Sequence, residues 1–140
     1  MARGLKGITR FRRYQVDQAR RELGKLLSQA AELEHRARTL ESEIIAEQRA
    51  ASEHPAEAGF AYGLYARQAI VRRAQLVQAK SVMEAHIATA QDNVRTEFRE
   101  LKVVEIAQET RDAAEALEAN RAAQSVLDEI GLQLFSRKND

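Results

Sequence analysis

The chain has 140 residues and a net charge of +1 at pH 7, with 31% charged and 5% aromatic side chains, one proline, and no cysteine or tryptophan. This composition excludes a disulfide framework and cysteine-bound zinc, and it disfavours a compact core of several layers. No apolar run approaches the roughly 18 residues needed to cross a bilayer, so we expect no direct membrane insertion. Abundant Ala, Leu, Glu, Arg and Gln are typical of exposed helices, and the lack of cysteine fits a cytoplasmic protein.

A heptad pattern of apolar residues predicts a first helix over about residues 5–52. Apolar residues recur at alternating spacings of three and four, interrupted only by Glu47, and keep one helix face apolar for roughly ten turns. They are Val16, Ala19, Leu23, Leu26, Ala30, Leu33, Ala37, Leu40, Ile44 and Ala51. Pro55 and Gly59 predict a tip at about residues 53–59, although Pro55 could itself open the next helix as its first residue.

A second and longer helix is predicted over about residues 58–137. Its first apolar stripe contains Leu76, Met83, Ile87, Ala90, Val94, Phe98 and Leu101. Beyond that point the apolar residues change phase. The second stripe contains Val103, Ile106, Ala113, Leu117, Leu127 and Leu134. A phase change of this kind predicts that the helix changes its partner or its contact face near Leu101.

The distribution of charge predicts that the two helices pair antiparallel. Basic residues dominate up to Lys25, whereas acids dominate between Glu97 and Glu118. With a turn near residues 56 and 57, paired positions add up to about 113, which sets orientation and register. The expected neighbours are Arg10, Arg12 and Arg13 with Glu97, Glu100 and Glu105; Arg72 and Arg73 with Glu41; Arg67 with Glu47; and Lys80 with Glu32 and Glu34. The predicted fold is therefore all-α, a single antiparallel coiled-coil hairpin over residues 1–140.

The unequal helix lengths leave the C-terminal part of the second helix without a partner. The first helix can pair with the second only as far as about Gln108. Roughly the last 25 to 30 residues of the second helix therefore overhang by about 40 Å, at 1.5 Å per residue. An isolated helix of that length with an apolar stripe is marginal in water. We therefore predict that a partner covers this stretch; a frayed, partly disordered terminus is the alternative.

The residue pattern predicts a protein that is not an enzyme and holds no metal or cofactor. His35, His54 and His86 are isolated, with no second histidine or cysteine at the spacing that metal binding requires. The sequence has no phosphate-binding Gly-Lys-Ser or Gly-Lys-Thr loop and no Ser, His and Asp set. The basic N-terminal segment resembles a nucleic-acid or membrane-binding cluster, but the acids of the second helix are placed to neutralise it, so no nucleic acid is expected.

Aromatic residues concentrate near the tip and near the N-terminus. Phe60, Tyr62 and Tyr65 lie just after the tip, and Phe11 and Tyr14 lie near the start of the first helix. Such residues either cap the ends of a thin core or form an interaction hot spot, because aromatic surface near a loop favours binding. Both interpretations remain open at this point.

Short motifs near both ends support a family resemblance. Near the start these are Val16-Asp17, Ala19 with Arg20 or Arg21, and Leu23-Gly24; near the end, Leu127-Asp128-Glu129-Ile130 precedes the basic Arg137-Lys138. The stretches Tyr65 to Val94 and Arg95 to Leu101 fall in matching places. Together with a helix of about fifty residues, a short tip and a longer second helix, these motifs resemble the FliJ family of the bacterial flagellar type III export apparatus.

The resemblance implies a non-enzymatic stalk, similar to the central shaft of rotary ATP synthases, that is cytoplasmic and peripherally associated with the inner-membrane export apparatus. The C-terminal helix would enter the hexameric export ATPase, the tip would meet the membrane export gate, and the protein would escort substrate chaperones. The implied ATPase contacts are Val103, Ile106, Ala113, Leu117, Leu127, Asp128, Glu129 and Leu134. The implied gate contacts are Leu40, Phe60, Tyr62 and Tyr65. The chain departs from the family at Glu43 and Glu47, where tyrosines are expected, and at Arg72.

Three other interpretations stay open on the sequence. One is an equivalent stalk of an injectisome, and another is a generic cytosolic adaptor or tether that dimerises by burying the same stripe. A third is a nucleic-acid or membrane binder that uses the basic residues from Arg3 to Lys25. For that third class, electrostatic attachment alone should weaken steeply with salt.

Overall fold

The chain forms two long helices in a computed structural model that describes residues 2–139, with side chains from Gly4 to Asn139. The side chain of Arg3, part of the basic N-terminal segment, lies outside the described residues. Helix α1 spans Ala2–Glu53 and helix α2 spans Pro55–Asn139, with 52 and 85 residues. Residues 2–139 contain no strand. The prediction of an all-α hairpin with a longer second helix is confirmed.

The connection between the helices is shorter than the predicted tip of residues 53–59. Only His54 lies between α1 and α2. Its carbonyl accepts hydrogen bonds from the amides of Glu57 and Ala58, at 3.2 and 3.0 Å, and so opens α2. Pro55 fits the first helical position because the missing N–H needs no partner there. Glu57, in the first turn, places a negative charge at the positive end of the helix dipole.

The chain packs as two compact units. The central unit is Val16–Glu97, and the flanking unit is formed by the chain up to Gln15 and from Phe98 onward. In the central unit, Val16, Leu40, Ala69 and Ala90 are buried. The other apolar residues of the predicted α1 stripe are half-buried. The predicted heptad face of α1 is therefore the face that packs against α2.

Ion pairs in the central unit follow the predicted antiparallel register. The Arg73 guanidinium donates to both carboxylate oxygens of Glu41, at 2.8 and 2.9 Å. Lys80 Nζ lies 2.9 Å from Glu34 Oε2, as expected. Arg72 pairs with Glu43 at 3.6 Å instead of with Glu41, which Arg73 already occupies.

Within the flanking unit, α1 and α2 also pair antiparallel, through a more polar contact. Thr9 is buried; its hydroxyl donates to the Leu5 carbonyl at 2.8 Å and lies 3.0 Å from Oε1 of Gln108. Two of the three predicted basic residues meet the predicted acids here: Arg12 lies 3.9 Å from Glu100 and Arg13 lies 4.0 Å from Glu105. Such partly exposed pairs define register more than they add stability.

The predicted change of contact face near Leu101 is wrong: no such change occurs between Leu101 and Arg111. Leu101 is buried, and Val104, Gln108 and Arg111 follow it as half-buried residues at spacings of three, four and three. Val103 and Ile106 are 65% and 59% exposed. The face that meets α1 thus keeps its phase while polar residues replace apolar ones. What shifts is the apolar stripe, which moves to the solvent side of α2.

The Glu34–Lys80 pair makes a prediction about titration. The hydrogen bond and charge of Lys80 lower the pKa of Glu34 from 4.5, and Glu34 raises the pKa of Lys80 from 10.5. The depressed carboxyl pKa contributes stability that is present above the unfolded pKa and is lost as pH falls through the folded value. For Lys80 the contribution is lost as pH rises through its raised pKa. Lys80→Met should return the Glu34 pKa towards 4.5, as measured by NMR titration.

The control for this titration is Arg73→Met, which removes a neighbouring cation that bonds to Glu41. It should leave the Glu34 pKa where it is in the unaltered protein. An equal Glu34 pKa in Lys80→Met and in the unaltered chain would show that the pair does not form in solution.

Candidate partner-binding surfaces

The C-terminal part of α2 is exposed on all sides. Arg111 is the last half-buried residue, and every residue from Asp112 to Asn139, here named the tail, is exposed. Seven of these are large apolar side chains: Leu117, Val126, Leu127, Ile130, Leu132, Leu134 and Phe135. An apolar surface of this extent on one helix is a candidate binding site.

Six apolar residues of the tail, together with Asn120, fall on one face, here named the seam. Its members are spaced alternately by three and four residues, the heptad spacing of a helix that packs against another helix. They are Ala113, Ala116, Asn120, Ala123, Leu127, Ile130 and Leu134. Of the predicted ATPase contacts, Ala113, Leu127 and Leu134 are brought together on the seam, Ile106 lies one heptad before it, and Leu117 flanks it.

The predicted acidic contacts lie beside the seam. Asp128 and Glu129 are exposed, and Asp128 accepts a hydrogen bond from the Gln124 side-chain nitrogen at 3.1 Å, one turn earlier. Arg111 and Glu115 form a similar pair one turn apart, at 3.7 Å. Pairs at this spacing, together with many alanines, favour helix in a segment whose described residues are all exposed.

The start of α2 carries the second candidate surface. Phe60 is 84% exposed, whereas Tyr62 and Tyr65 are half-buried. The Tyr65 hydroxyl is buried and has no hydrogen-bond partner among the described residues. Burial, followed by the charges of Glu43 and Glu47, raises the pKa of Tyr65. Tyr65 therefore remains a neutral hydrogen-bond donor at physiological pH.

Leu40, the fourth predicted gate contact, lies in the core of the central unit. It is buried and lines the cleft between the helices together with Leu33 and Leu76. Sequence reasoning missed exposed Leu64 and Val71. They follow Phe60 by four and eleven residues on the same face of α2, and this spacing is the signal that could have found them.

The described residues hold no group of three or more His, Cys, Asp or Glu side chains that could bind a metal ion.

No helix within residues 2–139 is both long enough and apolar enough to span a membrane.

The chain was compared with protein families, curated proteins and solved structures. A family model described as the flagellar FliJ protein matches residues 1–140, which is the whole chain. No curated protein and no solved structure matches it. The family match covers both helices, including the tail and the aromatic start of α2.

Proposed function

Because this chain belongs to the flagellar FliJ family, we propose that it is a non-enzymatic, cytoplasmic stalk that couples the export ATPase ring to the export gate. Family membership makes it a protein of flagellum biogenesis and type III export. The observation that carries the finer proposal is the pair of exposed apolar surfaces on α2. The tail lies at one end of this helix and Phe60 lies near the other.

The tail supports the ATPase end of the proposal. A hexameric ring presents a central channel that a single helix of about 10–12 Å diameter can enter. Entry would remove the seam from water, and burial of each large apolar side chain contributes about 1.5–3 kcal/mol. Leu127 and Leu134 on the seam, with Leu117 beside it, are the proposed anchors. Within the flanking unit, Val103 and Ile106 extend the apolar surface of α2 from the tail back towards Leu101.

The start of α2 supports the gate end. Phe60 is 84% exposed and offers a large ring to a partner, and the half-buried ring of Tyr65 lies five residues later. Tyr62 lies between them. Leu40 contributes indirectly, by holding α1 against α2 below this surface. Peripheral association with the inner-membrane apparatus would follow from this contact, and substrate chaperones are the third proposed class of partner.

The test of the ATPase contact is a binding measurement with the purified export ATPase hexamer. The double variant Leu127→Ala with Leu134→Ala should bind at least about tenfold more weakly, since it removes two exposed anchors without disturbing the paired helices. The matched control, Val71→Ala with Val77→Ala, alters two equally exposed residues of the central unit and should bind normally. Normal binding by the tail variant would refute the assignment.

A further inference from the structure

The tail is complementary to a second, reversed copy of itself. We propose that the tails of two copies of this chain pair antiparallel about Ser125 and form a homodimer through the seam. The pairing involves only this chain, so it goes beyond the coupling function and does not depend on it.

The first argument is the size of the seam residues. The N-terminal half of the seam carries Ala113, Ala116 and Ala123, whereas the C-terminal half carries Leu127, Ile130 and Leu134. In an antiparallel pair centred on Ser125, Ala116 of one copy lies level with Leu134 of the other, and Ala123 with Leu127. Alternation of small and large side chains across a helix contact lets the layers interdigitate. A parallel pair would instead place alanine against alanine.

The second argument is charge. Asp112, Glu115 and Glu118 make the start of the tail acidic, whereas Arg137 and Lys138 make its end basic. Reversal of one copy brings each acidic start against the basic end of the other. The middle of the tail follows the same rule, with Arg121 of one copy level with Asp128 and Glu129 of the other. A parallel pair would oppose like charges at all of these positions, which is destabilising.

Charge also selects the register. A shift of one heptad would keep apolar layers in contact, with Leu127 level with Ile130 of the other copy. It would, however, bring Asp128 of each copy level with Glu129 of the other and leave the acidic start beyond the overlap. Flanking charges commonly decide partner and orientation among registers with similar apolar contact. The register centred on Ser125 is therefore the favoured one.

The dimer would cover the surface that the ATPase ring is proposed to bind. A chain whose tail is paired would have no free seam. The dimer and the ATPase-bound chain would therefore exclude each other. Pairing would protect an apolar helix face from nonspecific association while the chain is away from its other partners.

The first experiment measures the mass of the 140-residue chain by sedimentation equilibrium between about 1 µM and about 1 mM, a range that covers weak to moderate association. We expect a concentration-dependent monomer–dimer equilibrium. Leu127→Lys, on the seam, should abolish the dimer, whereas the matched control Leu132→Lys, an exposed leucine off the seam, should retain it. Circular dichroism should show equal helix content in both. A monomer throughout, or a dimer that survives Leu127→Lys, would overturn the proposal.

The second experiment determines orientation by distances between spin labels. The chain contains no cysteine, so single labels can be placed at Ala114→Cys, Ser125→Cys and Ser136→Cys, all off the seam. At 1.5 Å per residue, antiparallel pairing predicts a short distance for Ser125→Cys and about 35 Å for each of the other two. Equally short distances at all three sites would indicate a parallel pair and would refute the inference.

Discussion

Replacing Leu40 with alanine is expected to lower the free energy of unfolding by about 2–3 kcal/mol, near the low end for buried leucines. Leu40 is 3% exposed, so nearly the whole side chain is removed from water by packing between α1 and α2. The low end applies because Leu40 lines clefts between the helices, where neighbouring side chains can relax into the space. Such a loss is a large part of the about 5–15 kcal/mol that stabilises a typical domain.

The measurement is urea unfolding followed by far-ultraviolet circular dichroism, since the chain has no tryptophan. Leu27→Ala is the matched control: it is the same substitution in α1 at a residue that is 49% exposed. Leu27→Ala should lower the free energy of unfolding by less than half as much as Leu40→Ala. Equal midpoints for the two variants would mean that Leu40 does not occupy the core of the central unit.

The core and the register of the hairpin could be predicted because they depend on periodic signals. The heptad from Val16 to Ala51 identifies the buried face of α1, since only residues at those spacings share one side of a helix. Pairs such as Arg73 with Glu41 then indicate the register, because opposite charges flank the contact at matching levels. These two signals are independent, and they agree with the same antiparallel arrangement.

Other features depend on choices that periodicity does not reveal. Proline and glycine usually interrupt helices and so predict a longer tip, yet Pro55 occupies the first position of α2 and Gly59 lies within that helix. No apolar pattern in the sequence marks the face of α2 that meets α1 beyond Leu101, because Gln108 and Arg111 on that face are polar. Burial of Thr9, whose hydroxyl lies 3.0 Å from Gln108 Oε1, is not marked by an apolar pattern either.

The exposure of individual site residues was the least predictable property. A leucine at a heptad position is expected to be buried, and Leu40 is, so family resemblance and periodicity pointed in different directions for the same residue. Periodicity also does not tell whether a second apolar stripe is covered. The tail shows this, because its seam has the spacing of a coiled coil and yet every seam residue is exposed.

Phe60→Ala is expected to weaken binding to the cytoplasmic part of the export gate by about 30-fold or more, which corresponds to about 2 kcal/mol at an interface hot spot. Phe60 is 84% exposed, so its ring contributes little to the fold and its apolar area is available to a partner. The measurement is a titration of the purified gate domain with the 140-residue chain. The thermal unfolding midpoint should stay unchanged, because no core contact is lost.

The matched control is Phe135→Ala, which removes the same ring from the tail, where it is 66% exposed. The gate titration should distinguish the two variants, since an effect shared by both would reflect a general loss of apolar surface and not a contact at the start of α2. Binding to the ATPase ring supplies the reciprocal check, because Phe60→Ala should leave that affinity intact. Loss of gate binding in Phe60→Ala alone would locate the gate contact at the start of α2, and unaltered gate binding in that variant would remove Phe60 from it.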